Sequence, residues 1–303
     1  MMKYKSTLQS SDRFLGYSFL APALLVVCLF ALYPVADTVW LSFHRVILTV
    51  PGLGEKFIGL DNYKALFKDP ALISSYGVTF AFVIITTAFE LLFGLIIALT
   101  INKHFPGRGA VRAAILIPWA LPTVVASQMW RFIFNDQYGF FNFLLYGSNS
   151  AAYEAWLAEP VTALAAIIIA DIWKTSSFAG LLILAGLQLI PEDLYEAARV
   201  DGATPWQQFR HITLPMIKPA ILIALLFRTM DAFRVFDLVF VMTQGGPADS
   251  TSVIQFYGYK KIFAEGDMGY GSAVSTVIFL TIMVVSVFYV RTVGTRLLEK
   301  GER

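Results

Sequence analysis

The sequence predicts an all-α protein that crosses a membrane several times, and three observations predict it. Of 303 residues, 57% are hydrophobic and 15% charged, and mean hydropathy is +0.66, more apolar surface than a water-soluble domain of this size needs. Several apolar runs exceed the roughly 18 residues that cross a hydrocarbon core as a helix. The one cysteine, Cys28, lies inside such a run, so no disulfide within the chain and no metal cluster is expected. Six spans are read, at roughly 16–40, 76–101, 112–134, 161–187, 217–243 and 271–292.

The first run is too long for a signal-peptide core and lacks a small-residue cleavage site, so it is an anchor behind an N-terminal segment, 1–15. Residues 41–75 carry turn chemistry at Pro51-Gly52 and Gly54, then a short amphipathic piece from Asp61 to Phe67 suited to a membrane surface. In the third span Trp119 and Thr123 are one turn apart, between Pro118 and Pro122. Residues 135–160 contain no Lys or Arg, and Trp156 is placed to anchor at the interface. The fifth span must end at Gln244-Gly245-Gly246-Pro247. The sixth is followed by a tail, 293–303. His44, His104 and His211 fall far apart in predicted loops, where a surface role is expected for each. Neither a tandem repeat nor a low-complexity tract is present.

Orientation follows from Lys and Arg outside the spans. With the N-terminus in the cytoplasm, thirteen lie inside: Lys3, Lys5, Arg13, Lys103, Arg108, Arg112, Arg199, Arg210, Lys218, Arg291, Arg296, Lys300 and Arg303. Six lie outside: Arg45, Lys56, Lys64, Lys68, Lys260 and Lys261. Both termini and the polar segment 188–216 are therefore expected in the cytoplasm.

Charges within spans are costly, about 2.5–3.5 kcal/mol each at the midplane, and need a partner or a wet cavity. Glu90 in the second span, Asp171 and Lys174 in the fourth, and Arg228, Asp231, Arg234 and Asp237 in the fifth are such charges. Asp171 and Lys174 are a helical pair, and the other four form an alternating ladder at the same spacing. Steps of three wind around a helix, so Arg228, Asp231, Ala232 and Val235 share a face while Arg234 and Asp237 point elsewhere. Lys174, Thr175 and Phe178 share a face of the fourth span, beside Trp173. Glu90 pairs with Arg131, with another helix or with a cation of a partner; the sequence leaves this open.

Glu192 to Pro219 is the one long polar stretch in the second half. Pro191 suits a first helical position, Glu192 and Asp193 favour the first turn, and Ala197 and Ala198 leave a low face. Gly202 is a stop; Thr204, Pro205 and Gln207 make a second start with a capping box. Pro215 and Pro219 then break the chain. The result is a helix–turn–helix built to be held by a partner.

Glu196-Ala197-Ala198, Asp201-Gly202-Ala203, Ile212, Leu214-Pro215 and Pro219 resemble the EAA motif of binding-protein-dependent ABC importer permeases, in order and spacing over more than twenty residues. The likeness extends over most of the chain to sugar-importer permeases of the maltose/trehalose and glycerol-3-phosphate type. It implies a maltose-type permease fold in a bacterial or archaeal plasma (inner) membrane. The implied partners are a second homologous permease, two copies of an ABC ATP-binding subunit, an external substrate-binding protein and membrane lipid, with no nucleic acid. Glu196, Ala197, Ala198, Asp201 and Gly202 would dock into a groove on the ATP-binding subunit, which holds ATP and magnesium.

By distance from that motif and from Gly245-Gly246-Pro247, Lys174, Thr175, Phe178, Arg228, Asp231, Ala232 and Val235 resemble positions lining the sugar site of maltose-type permeases. Trp119 and Thr123 join them through the Pro-aromatic-x-x-Pro pattern. Lys174, Arg228 and Asp231 stand where the maltose pattern is neutral. They suit either a phosphate-bearing solute such as glycerol-3-phosphate or a lattice that hydrogen-bonds a neutral disaccharide. The run LLFRTMDAFRVFD favours trehalose or maltose, whereas VFDLVFVMTQGGPADST looks like glycerol-3-phosphate permeases. No phosphate-binding G-x-x-x-x-G-K-[ST], metal-ligand spacing or serine–histidine pair is present, so no catalysis is expected of this chain. The other readings are an ion-coupled carrier with Glu90 or Asp231 as the ion site, marked by inverted repeats and broken helices, and a channel passing solute downhill.

Overall fold

Hydrocarbon offers no partner to a backbone N–H or C=O, so the apolar runs resolve into helices that satisfy themselves. The computed structural model describes residues 2–49 and 54–301, with side chains for 15–49 and 54–291. The turn expected at Pro51-Gly52 lies outside the described residues, as do the side chains of Lys3, Lys5, Arg13, Arg296, Lys300 and Arg303.

Helix α1 (Met2–Val27) passes through a π-helical turn, Cys28–Leu32, into α2 (Tyr33–Ser42). Strands β1 (His44–Arg45) and β2 (Lys56–Phe57) pair antiparallel, and α3 (Asp61–Leu66) is the short amphipathic piece. Then come α4 (Pro70–Asn102), α5 (Arg108–Ala120), α6 (Thr123–Ile133), α7 (Phe140–Tyr146) and α8 (Pro160–Leu187). The polar elbow is α9 (Glu192–Val200) and α10 (Pro205–Gln208). Next are α11 (Leu214–Ala232), α12 (Asp237–Met242), α13 (Ile254–Tyr259) and α14 (Met268–Gly301). Five described stretches are long and apolar enough to cross a membrane: Leu15–Ser42, Pro70–Asn102, Pro160–Leu187, Pro205–Ala232 and Met268–Arg291. With α5 and α6 taken together as one span there are six.

Three expectations need correction. The third span is not one helix: α5 and α6 meet at an 89° bend. Leu121 precedes Pro122 and is driven to an extended conformation (ψ 138°), as a residue before proline prefers. The fifth span starts and stops earlier than 217–243. Pro215 does not break it, because a π-helical turn at Phe209–Thr213 precedes the proline and carries α10 into α11, with Leu214 N–H on the Phe209 carbonyl. Pro219 sits inside α11 without ending it. At its far end α11 stops at Ala232, ahead of Phe233-Arg234-Val235-Phe236, where Phe233, Val235 and Phe236 weaken helix propensity. The third correction concerns His44, which is buried, its Nδ1 2.8 Å from the Trp40 carbonyl. His104 and His211 are exposed, His211 within the π-helical turn rather than a loop.

The chain divides into two units. Within residues 1–68 and 258–277, Asn62 Nδ2 donates to the carbonyls of Ser42 and His44 at 2.8 and 3.0 Å, and Met268 N–H donates to Val46. Within residues 69–257 and 278–303, α4 lies along α8, and α11 packs on both. Ala98, Ile101, Ile183, Leu187, Ile217 and Ala224 form a core there. In the same unit Trp156 is held by Asn142 (2.8 Å) and packs edge-on to Phe141, so its ring is part of a folded segment. Close approach of α4 and α8 depends on Gly94, where a Cβ would fall 2.9 Å from both Ala179 Cβ and the Gly180 nitrogen. Gly94→Val is accordingly expected to destabilise the bundle by about 1–3 kcal/mol, as overpacking does. Thermal unfolding of the purified protein in detergent measures it; an unchanged midpoint would mean the helices part freely.

Candidate functional site

The charges placed in α4, α8 and α11 converge. Arg228, 2% exposed, donates from Nε to Glu90 Oε2 at 2.6 Å and from an Nη to Glu90 Oε1 at 2.9 Å. Its other Nη reaches Asp231 Oδ2 at 2.5 Å, and Asp171 Oδ2 lies at 3.5 Å. Glu90 is fully buried, and the Thr175 hydroxyl lies 2.6 Å from both its Oε1 and the Asp171 carbonyl. Glu90 thus pairs with Arg228 and not with Arg131. Burial of both groups needs this geometry, because a desolvated ion is tolerated only when paired and hydrogen-bonded.

Lys174 does something else. The helical spacing predicts a pair with Asp171, yet its ammonium donates to the carbonyls of Leu121 (2.8 Å) and Trp119 (3.2 Å), at the bend between α5 and α6. Backbone acceptors left open by that bend outcompete a carboxylate already facing Arg228.

Beside this lattice lies a cavity of about 120 Å³. Thr123, Lys174, Thr175, Arg228, Asp231, Ala232 and Val235 line it, seven of the nine residues expected on a solute path. The other two, Trp119 and Phe178, stack on each other with centroids 5.4 Å apart, and are not part of its lining. Trp119 and Thr123 come from different helices rather than from one helical face, and Val235 reaches the cavity from the turn after α11.

Asp171, Arg234 and Asp237 also line it, along with Phe236 and Leu238. A straight fifth helix points Arg234 and Asp237 away. The end of α11 at Ala232 brings them back, and Phe233, Val235 and Phe236 were the local signal available. Among the described residues no ion pair joins Arg234 to Asp237, so the expected ladder is broken after Asp231. Asp231 keeps its side chain 60% exposed, the carboxylate of the lattice most open to a solute. A larger groove of about 790 Å³, lined by Phe89, Phe93, Trp130 and Trp173 among others, is almost wholly apolar and offers no set of hydroxyl partners.

The elbow is separate from this cavity. Helix α9 ends in a left-handed Gly202 (φ 76°), with Gly202 N–H on the Arg199 carbonyl and Ala203 N–H on that of Ala198, a Schellman closure. Thr204 caps α10, and Thr204 and Gln207 complete the capping box. Pro191 is the N-cap of α9 rather than its first helical residue, which is Glu192. Glu196, Ala197, Asp201 and Gly202 are exposed and Ala198 is half-buried. Val200 and Trp206 are 88% and 67% exposed, the Trp206 ring stacking on Phe209 of the same elbow.

The family described as "Binding-protein-dependent transport system inner membrane component" matches residues 90–303. The trehalose/maltose transport system permease protein MalF of Thermococcus litoralis is 41% identical, over 94% of this chain and 96% of its own. The sulfoquinovosyl glycerol transport system permease protein SmoG of Agrobacterium fabrum is 42% identical, over 95% of this chain and 93% of its own. In fold, a chain of a bacterial alginate ABC transporter, crystallised with an alginate pentasaccharide-bound periplasmic protein, superposes with a TM-score of 0.79 at 24% identity. That superposition covers 92% of this chain and 93% of that one.

Proposed function

Since this chain belongs to the binding-protein-dependent transport system inner membrane component family and is a multi-pass ABC importer permease, we propose that it carries a neutral disaccharide of the trehalose or maltose kind. The observation behind this is the commitment of the cations. Arg228 spends its guanidinium on Glu90, Asp231 and Asp171, and Lys174 spends its ammonium on two carbonyls. Neither is free for a phosphate, whereas Asp231 and the Thr123 side chain face the cavity as groups that meet hydroxyls. At about 120 Å³ the cavity is smaller than the roughly 300–1,000 Å³ of ligand pockets. This chain therefore supplies one wall, and a second, homologous permease supplies the rest.

The solute arrives from an external binding protein. On the cytoplasmic side, two ATP-binding subunits hold ATP and magnesium and engage the elbow through Glu196, Ala197, Ala198, Asp201 and Gly202. Drawing those subunits together moves the elbow, and the helices turn the cavity outward. The membrane is the plasma membrane of a bacterium or archaeon.

A second reading rests on Arg234. It lines the cavity, is exposed and has no ion pair among the described residues, so an anionic sugar would find a cation there. Uptake of labelled trehalose, maltose, glycerol-3-phosphate and a sulfonated or uronic sugar by the reconstituted complex separates the two. For a neutral cargo, Arg234→Gln should change uptake by less than about twofold. For an anionic one, it should lower affinity about tenfold or more, the scale of a charge-assisted hydrogen bond. The bend in the third span is a feature that carriers share, so ATP dependence is measured too. Uptake by ATP-loaded vesicles is expected to survive a gradient-collapsing ionophore, and this chain purified alone is expected to hydrolyse no ATP. Turnover by a clean preparation overturns the subunit assignment.

A further inference from the structure

The bend between α5 and α6 leaves carbonyls with nothing to accept from. In an unbroken helix Trp119 O and Leu121 O would take the N–H groups of Thr123 and Val125, four residues on. At 89° those donors have turned away, and Pro122 has no N–H to offer. Unsatisfied backbone at membrane depth persists only where protein or water answers it. Here the answer comes from a different helix. Lys174 on α8 is buried, and its ammonium meets both carbonyls at 2.8 and 3.2 Å, while its neighbour Thr175 is tied to Glu90. A lysine stem is long enough to reach across from α8, and its three donors serve two acceptors at once. We infer that Lys174 is a positioning residue: it holds the bend of the third span and so sets where Thr123 and the start of α6 stand in the solute cavity. It acts on solute through the bend, as a clamp on backbone carbonyls.

The inference rests on the cavity being the transport path, but its test reads the position of Thr123 directly. In the full importer, with Cys28 replaced by serine, Thr123→Cys reports one wall of the cavity and Val235→Cys, in the turn after α11, reports another. Both positions are half-buried and are to be labelled with a water-soluble maleimide. Lys174→Met is expected to lower the labelling rate at position 123 about tenfold while leaving position 235 within about twofold. Lys174→Arg, which keeps a charged donor, is expected to restore both labelling and uptake. General loosening would move both reporters, so equal changes at 123 and 235 overturn the inference, as does unchanged labelling at 123 in Lys174→Met. Should Lys174→Met fail to assemble, Lys174→Arg decides: retained labelling at 123 is expected, and its loss overturns the clamp. Failure of the wild-type complex to take up any sugar would count against the proposed function and leave the labelling result standing.

Discussion

Arg228→Ala is expected to abolish uptake and reduce the amount of complex in the membrane, whereas Arg234→Ala should leave assembly intact. The difference lies in what each arginine leaves behind. Arg228 holds Glu90, which is fully buried, and also touches Asp171 and Asp231. Removing it strands a buried carboxylate without its cation, a loss of about 3–5 kcal/mol for a broken buried pair. Against a total stability on the order of 5–15 kcal/mol, that is a large share. Arg234 is exposed and unpaired among the described residues, so its removal strands nothing. Equal losses at the two positions would refute the distinction.

A double replacement then separates bracing from transport. Glu90→Leu with Arg228→Met removes both charges and leaves apolar groups of similar bulk, which is often neutral or stabilising for a buried pair. Assembly is expected to return. Uptake is not, because Asp231 loses the guanidinium that fixes its carboxylate at the cavity, 2.5 Å away. Membrane yield and labelled-sugar uptake measured on the same vesicles give both answers. Recovery of both would show that the lattice only braces helices.

How far the sequence discloses this molecule depends on the range of the interactions. Gly202 and the Thr204–Gln207 box are legible because each signal lies within five residues of what it satisfies. The long apolar runs are legible for a similar reason, since the bilayer imposes its length on each independently. Glu90 is different: its partner is 138 residues away, and only the packing of α11 against α4 and α8 selects Arg228 over Arg131. Lys174 misleads for the same reason, as its local partner Asp171 is taken by Arg228 and its actual acceptors exist only once Leu121-Pro122 has bent the third span. The end of α11 at Ala232 falls between these cases. Phe233, Val235 and Phe236 are a local signal, but the hydropathy that marks a span continues straight through them.

Gly202→Asp is expected to cut uptake about tenfold or more while the protein still reaches the membrane at nearly normal level. Gly202 closes α9 in the left-handed region, and a Cβ there meets nothing within 4 Å. The cost within this chain is therefore only backbone strain, about 1–2 kcal/mol for an ordinary residue and less for Asp or Asn, which visit that region more readily. Such a cost does not unfold a six-span bundle. A large effect on uptake must come from outside, where a new carboxylate would stand next to Asp201, just past the end of the helix that carries the exposed Val200. Val200 left this bare, with Trp206 on the same elbow, is the surface that the proposed ATP-binding subunit would cover. Gly202→Asn keeps the shape and the left-handed tolerance without the charge, and should retain more uptake than the aspartate. Three vesicle preparations, matched for permease content and assayed with and without ATP, decide it. Normal uptake by Gly202→Asp would mean that the elbow is not the handle through which ATP moves the helices.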